Sequence, residues 1–214
     1  MRLNWREIRS RAAGPAPVRA RRAPVPALAP ALAPAIAALT LSACASHPAY
    51  RPVSDVPVRI GPAYTVRGTT YRPAAQPDYD MLGYATWYGN ESGTQTASGE
   101  RFRPAWITAA HKTLPLPSYV EVTALGTGRR IIVRINDRGP FGDPARIIDL
   151  SKGAAEELGI RAQGKAAVRV RVIAPPEKDR KRLREGKAAE ALPPVRGRVL
   201  ESLREQFERG VGPL

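Results

Sequence analysis

Between Leu82 and Val172, short β-branched or aromatic runs alternate with Gly, Pro and Asn punctuation, the pattern of strands separated by turns. Six strands are predicted: Leu82 to Tyr88, Trp106 to Ala109, Val120 to Ala124, Arg130 to Asn136, Arg146 to Asp149 and Ala167 to Ile173. So many short strands in so little chain predict a mainly β fold closed into a barrel, because closure leaves no open sheet edge. One helix interrupts them, with Ser151 as its cap, Lys152 to Leu158 as its body and Gly159 ending it in the left-handed region.

Outside this region the pattern changes twice. From Ala45 to Asp78 the chain carries Pro48, Pro52, Pro57, Pro62, Pro73 and Pro77. Proline fixes φ and removes a donor, so residues 44–78 are expected to form a semi-extended tether, with a small hairpin over Tyr64 to Tyr71 turning at Gly68. After Ala174 the pattern is helical and charged, with helices expected over Glu177 to Leu192 and Val195 to Arg209 on either side of Pro193-Pro194. Leu192, Val195, Val199, Leu203 and Phe207 recur at threes and fours and give the last segment a narrow apolar stripe. That stripe suits docking on the barrel or on a partner, and the charge equally suits a solvated tail. The predicted division is a leader over 1–43, the tether over 44–78, the barrel over 79–174 and the tail over 175–214.

The leader reading comes from Arg2, Arg6, Arg9, Arg11, Arg19, Arg21 and Arg22, which precede an apolar run from Val25 to Leu41. Leu41-Ser42-Ala43-Cys44 then has the form of a bacterial lipobox. Cys44 is the single cysteine of the chain, so no internal disulfide can form and the thiol is expected to carry a lipid such as palmitate. Pro26, Pro30 and Pro34 break the apolar run, which argues against a retained transmembrane helix. The formal net charge is +15, and loss of the leader removes seven Arg and one Glu, leaving about +9. A basic exported domain suits an anionic wall or lipid surface. Nucleic acid is not expected, since no basic helix interleaved with aromatics and no zinc-finger spacing is present. No cofactor or metal is expected either: His47 and His111, the two histidines, do not have a zinc-site spacing, and no Gly-rich loop opens a helix to cradle phosphate.

The densest chemistry lies in Ile131 to Leu150, where two β-branched runs flank the turn Asn136-Asp137-Arg138-Gly139-Pro140-Phe141. Local turn chemistry by itself accounts for such residues. Two further polar motifs precede it, Thr96-Ala97-Ser98-Gly99-Glu100-Arg101-Phe102 and Thr108-Ala109-Ala110-His111-Lys112-Thr113-Leu114-Pro115. In this order, with Trp87-Tyr88-Gly89 upstream and Arg146-Ile147-Ile148-Asp149-Leu150-Ser151 downstream, they resemble the rare lipoprotein A family of bacterial septal lytic transglycosylases. The resemblance covers about Tyr79 to Ile173.

The resemblance implies a six-stranded double-psi β-barrel with a glycan-binding groove. It places the catalytic aspartate at Asp137 and its supporting glutamate and histidine at Glu100 and His111. Trp87, Tyr88, Thr108, Lys112, Asn136 and Arg138 are then the expected substrate-binding residues. The implied reaction is lytic cleavage of peptidoglycan glycan strands stripped of stem peptides, in wall remodelling and daughter-cell separation. One acid/base suffices for it, because the C6 hydroxyl of muramic acid attacks and a 1,6-anhydro sugar forms, whereas hydrolysis normally takes two carboxylates. Asp137 then needs a raised pKa, which burial among Ile135, Pro140 and Phe141 can supply. Arg138 is expected to turn away from it and to pair with Asp149, itself read as a structural brace. The implied partners are peptidoglycan, the membrane through Cys44, with the outer membrane favoured because Ala45 lacks a retaining Asp, and divisome or wall-hydrolase proteins through the tail. Two departures from the family stand out: Asn90 to Gln95 lacks the His- or Phe-rich stretch of many members, and 175–214 is too short and charged for the peptidoglycan-binding repeat with which many end. A non-catalytic expansin-like wall-binding module is the alternative, since Trp87, Tyr88, Trp106 and Tyr119 suit either reading or a plain core.

Overall fold

The alternating pattern folds as a closed barrel in the computed structural model, which describes residues 50–210; the predicted leader and Cys44 lie outside the described residues. Its strands are β3 (Asp80–Tyr88), β4 (Thr108–Ala110), β5 (Ser118–Ala124), β6 (Arg130–Asp137), β7 (Arg146–Ser151) and β8 (Ala166–Val172), preceded by a hairpin of β1 (Tyr64–Val66) and β2 (Thr69–Tyr71). The barrel order is β3-β7-β4-β6-β5-β8, closing back onto β3. β3 with β7 and β4 with β6 run parallel, and the remaining neighbours are antiparallel. All six predicted strands are present within about two residues of their predicted limits. The hairpin turns at Arg67 and Gly68, both at positive φ, the conformation a tight two-residue hairpin requires.

Burial follows the alternation where one face meets solvent. β8 alternates between buried and partly exposed positions, with Val168 and Val170 turned inward, whereas β6 is buried at every position from Ile131 to Asn136. Val120, Val122, Val133, Ile135, Ile148 and Leu150 fill the barrel. Each such side chain contributes roughly 1.5–3 kcal/mol by leaving water.

Helix α1 (Lys152–Leu158) starts and stops where its residues dictate. The Ser151 hydroxyl accepts from the Ala154 N–H at 3.1 Å, and Gly159 sits in the left-handed region with its N–H on Ala155 and Glu156 carbonyls. The tail differs from its prediction. Helix α2 (Glu177–Arg184) stops eight residues before Leu192, because Gly186 takes φ +80° and lies against the Trp106 indole, where a Cβ would sit 2.3 Å from Nε1. The chain then crosses the barrel surface, Pro193 accepting from Arg130 Nε at 2.7 Å, before α3 (Gly197–Arg209). Leu200 and Leu203 are buried there and Phe207 packs edge-on to Tyr84, while Val199, expected in the stripe, is exposed. The apolar face is thus Leu200, Leu203 and Phe207, docked near Leu82 and Leu125.

The Pro-rich stretch also differs. From Tyr50 it is a strap bonded to the barrel, since its non-proline residues keep their backbone donors and acceptors. Arg51 N–H donates to Gly99 at 2.8 Å, and Arg59 exchanges two 2.8 Å bonds with Leu116. Asp55 binds Tyr119, Arg134 and Arg184 together, joining strap, β5, β6 and α2. Among the described residues, no helix is long and apolar enough to cross a membrane.

Candidate active site

Asp137 is the last residue of β6, where the strand leaves the barrel for the Gly139-Pro140 turn. Its Oδ1 accepts from the backbone N–H of Ala97 and of Arg138, both at 2.8 Å, while Oδ2 has no hydrogen-bond partner among the described residues. Burial raises the pKa, and the two N–H bonds and the Arg138 charge offset that only in part. A carboxyl oriented through one oxygen, with the other free to hold a proton, is suited to general acid work.

Arg138 turns away from Asp137, as expected, but not toward Asp149. Its guanidinium donates to the carbonyls of Leu114 at 2.5 Å, His111 at 3.3 Å and Ile60 at 3.0 Å. Those carbonyls lie close to hand at the foot of the turn, whereas Asp149 is already held by the Thr86 hydroxyl and by Arg146 at 3.5 Å.

Glu100 stands in a different environment. Its two oxygens take a bidentate pair from Arg134 at 2.8 Å each and a third bond from Asn136 Nδ2 at 2.9 Å. Arg134 is 1% exposed and Glu100 4%, so this ion pair is nearly dry. Arg134 also donates to Asp55 and to the Ser54 carbonyl. Asn136 therefore has its amide N–H engaged, while its Oδ1 is buried without a partner.

His111 is buried beside the edge of Tyr79. Its Nδ1 accepts from the N–H groups of Thr113 at 3.1 Å and Leu114 at 3.0 Å, which fixes the neutral tautomer with hydrogen on Nε2. Burial, then the charges of Arg138 and Lys112, lower its pKa to about 3. Its backbone N–H reaches the Asp137 carbonyl at 3.0 Å, so it anchors the strand end that carries the acid.

The other expected contacts divide sharply. Lys112 Nζ donates to the Arg146 carbonyl at 2.6 Å, and Thr108 is buried within β4. The Trp87 indole N–H donates to the Arg161 carbonyl at 3.1 Å. Tyr88 stacks on Phe102 with its hydroxyl buried and unpartnered; burial, then Asp137 and Asp149, keep its pKa well above the ordinary value. A cavity of about 290 Å³ between strap and barrel is lined by Ala97, Ser98, Glu100 and Arg138 facing Val56, Ile60 and Tyr64, so it adjoins the donors that hold Asp137. Sequence reasoning did not identify Arg134 or Asp55. Arg134 had a visible signal, a lone cation inside the apolar run Ile-Ile-Val-Arg-Ile. No cluster of metal-binding side chains is present among the described residues.

With this geometry in hand, similarity to known proteins places the barrel. Residues 80–170 match the double-psi β-barrel family model described as lytic transglycolase, which defines the class of the domain. Within that class the barrel is similar to members of the rare lipoprotein A family. It is 53% identical over 114 residues to the endolytic peptidoglycan transglycosylase RlpA of Pseudomonas aeruginosa, covering 52% of this chain and 33% of that one. It is 44% identical over 119 residues to the protein of the same name in Rickettsia bellii, covering 54% and 52%. The chain thus spans between a third and about half the length of these relatives. Among solved structures, a Streptomyces papain inhibitor is 23% identical with TM-score 0.40, covering 47% of this chain and 100% of its own.

Proposed function

We propose that this protein is a lytic transglycosylase that cleaves peptidoglycan glycan strands, favouring strands without stem peptides, and leaves 1,6-anhydromuramyl ends. The observation that carries the reading is the state of Asp137: one oxygen fixed by two backbone N–H groups, the other free, in surroundings that favour the protonated form. The relatives' name, endolytic peptidoglycan transglycosylase, supports it.

Asp137 Oδ2 gives its proton to the glycosidic oxygen as the bond from C1 breaks, and the bond's electron pair stays with that oxygen. The C6 hydroxyl of the same muramic acid attacks C1, and its proton passes to Asp137, which is thereby reset. No water is consumed. Glu100 and His111 are positioning residues in this scheme: Glu100 holds Arg134 and Asn136 next to Asp137, and His111 anchors the same strand end. Of the expected substrate contacts, Arg138 lines the cavity that adjoins the Ala97 donor and Asn136 holds Glu100, whereas Trp87, Tyr88, Thr108 and Lys112 lie outside that lining.

The location that follows is the cell envelope, with the mature chain held by lipid on Cys44, the outer membrane favoured, and a role in wall remodelling and daughter-cell separation. Labelled palmitate incorporated by the intact chain but not by Cys44→Ala tests the anchor, and label in both sinks it. For the activity, denuded glycan strands are incubated with wild type and Asp137→Asn and the products analysed by mass spectrometry. Anhydromuramyl products from wild type alone support the reading; binding by both with no product from either makes the protein an expansin-like wall-binding module.

A further inference from the structure

A second carboxylate, Asp149, stands level with Asp137 across β4. Ala110 of β4 pairs with Asp137 of β6 on one side and with Asp149 of β7 on the other. The two aspartates therefore stand level with one another, two strand spacings or roughly 10 Å apart. A Cβ built on Gly139 would lie 3.6 Å from Ala110 Cβ and 3.9 Å from Asp149 Oδ2, so that oxygen overhangs the turn that follows Asp137. The same Cβ would lie 4.0 Å from Phe141 Cε2, so Gly139, at φ +142°, adds no side chain of its own between Ala110, Asp149 and the Phe141 ring.

Asp149 repeats the arrangement of Asp137. One oxygen is engaged, Oδ1 accepting from the Thr86 hydroxyl and facing Arg146, and Oδ2 has no partner among the described residues. The Tyr88 hydroxyl, also buried and unpartnered, is influenced by the charges of both aspartates. Three oxygens without a hydrogen-bond partner among the described residues, Asp137 Oδ2, Asp149 Oδ2 and the Tyr88 hydroxyl, thus lie on β6, β7 and β3. A brace between β3 and β7 needs only the Thr86 contact, and it does not account for the free oxygen or for the bare hydroxyl.

We propose that Asp149 is a second carboxylate of the reaction centre, facing the anomeric carbon where positive charge builds as the glycosidic bond breaks, with the Tyr88 hydroxyl positioned between it and Asp137. The inference rests on the transglycosylase reading and deepens it. Asp137 still gives and recovers the proton; Asp149 gains and loses none, and stabilises the transition state by its fixed negative charge. Burial raises the Asp149 pKa, which the Thr86 bond and the charges of Arg146 and Lys112 oppose.

The test measures kcat and KM for anhydromuramyl release from denuded strands, with unfolding midpoints, for wild type, Asp149→Asn, Thr86→Val and Tyr88→Phe. Asn at 149 can still accept from Thr86, so the brace survives while the charge is lost. The expected result is a loss of about 100-fold in kcat for Asp149→Asn with KM within about threefold and the midpoint kept. Thr86→Val should lower the midpoint and leave kcat within about fivefold, and Tyr88→Phe should fall between the two in rate. A kcat for Asp149→Asn within threefold of wild type overturns the inference and leaves the function standing, as does an equal loss in Thr86→Val and Asp149→Asn. Absence of anhydromuramyl products from wild type overturns both.

Discussion

Glu100 is a buried and Asp137 a partly buried carboxylate of one barrel, and they differ in what their oxygens do. Glu100 accepts three side-chain hydrogen bonds, two of them from a fully buried guanidinium, and no oxygen is left free. Asp137 accepts two backbone bonds on a single oxygen and leaves the other open. A saturated ion pair holds geometry, because removing either partner would leave the other charge buried and unpaired. An under-partnered carboxyl in the same kind of surroundings is held in place yet free to titrate. The contrast separates support from chemistry between residues that look alike as letters.

Four substitutions or conditions press on that contrast, in descending size of effect. Asp137→Asn should reduce anhydromuramyl release by at least about 1,000-fold, since the proton donor is gone while Asn can still accept from Ala97 and Arg138. The same variant should be at least as stable as wild type at pH 7. A carboxyl whose folded pKa is raised contributes stability that is complete below its unfolded pKa and lost as pH rises through the folded value, so at neutral pH its removal relieves a cost. An Asp137→Asn protein with a clearly lower unfolding midpoint would place Asp137 with Glu100 as support.

Glu100→Ala should behave in the opposite way, destabilising by about 3–5 kcal/mol in urea unfolding because Arg134 is left buried without its main partner. An unchanged midpoint would mean that Asp55 alone satisfies Arg134. His111 gives a pH signature. It is neutral in the fold with a pKa of about 3 against an ordinary 6.5, so the unfolded chain binds the extra proton between those values. Stability should therefore fall as pH drops below about 6.5, by up to ~1.4 kcal/mol per pH unit from this group, and His111→Asn should flatten that slope. Gly186→Ala is the smallest, about 1–3 kcal/mol from the contact with Trp106 at a positive φ, and it should leave the kcat of the distant site unchanged.

Much of the fold is written locally. Six strands were legible because each is bounded by turn residues, and α1 was legible to the residue because Ser151 and Gly159 cap it by their own chemistry. What was not legible depends on distant partners. The end of α2 is set by Trp106 lying over Gly186, and the face of α3 is set by Tyr84 and Leu82, which shifts the buried position from Val199 to Leu200. The strap misleads for a similar reason. Its prolines advertise missing donors, while the bonds of Arg51, Asp55 and Arg59 to the barrel leave no trace in spacing. In the site, the order of Glu100, His111 and Asp137 along the chain could be matched to a family. Their division of labour could not, because it depends on Arg134, on two backbone N–H groups and on the tautomer of His111. Asp149 looked like a brace for the same reason: its second oxygen is defined only by the register around Ala110.

The most direct measurement of the central claim is cleavage of denuded glycan strands in water enriched in ¹⁸O, followed by mass spectrometry of the new ends. A single acid/base that lets the C6 hydroxyl attack predicts 1,6-anhydromuramyl ends without ¹⁸O, lost in Asp137→Asn. Reducing ends carrying ¹⁸O, or anhydro ends undiminished in that variant, would contradict the account.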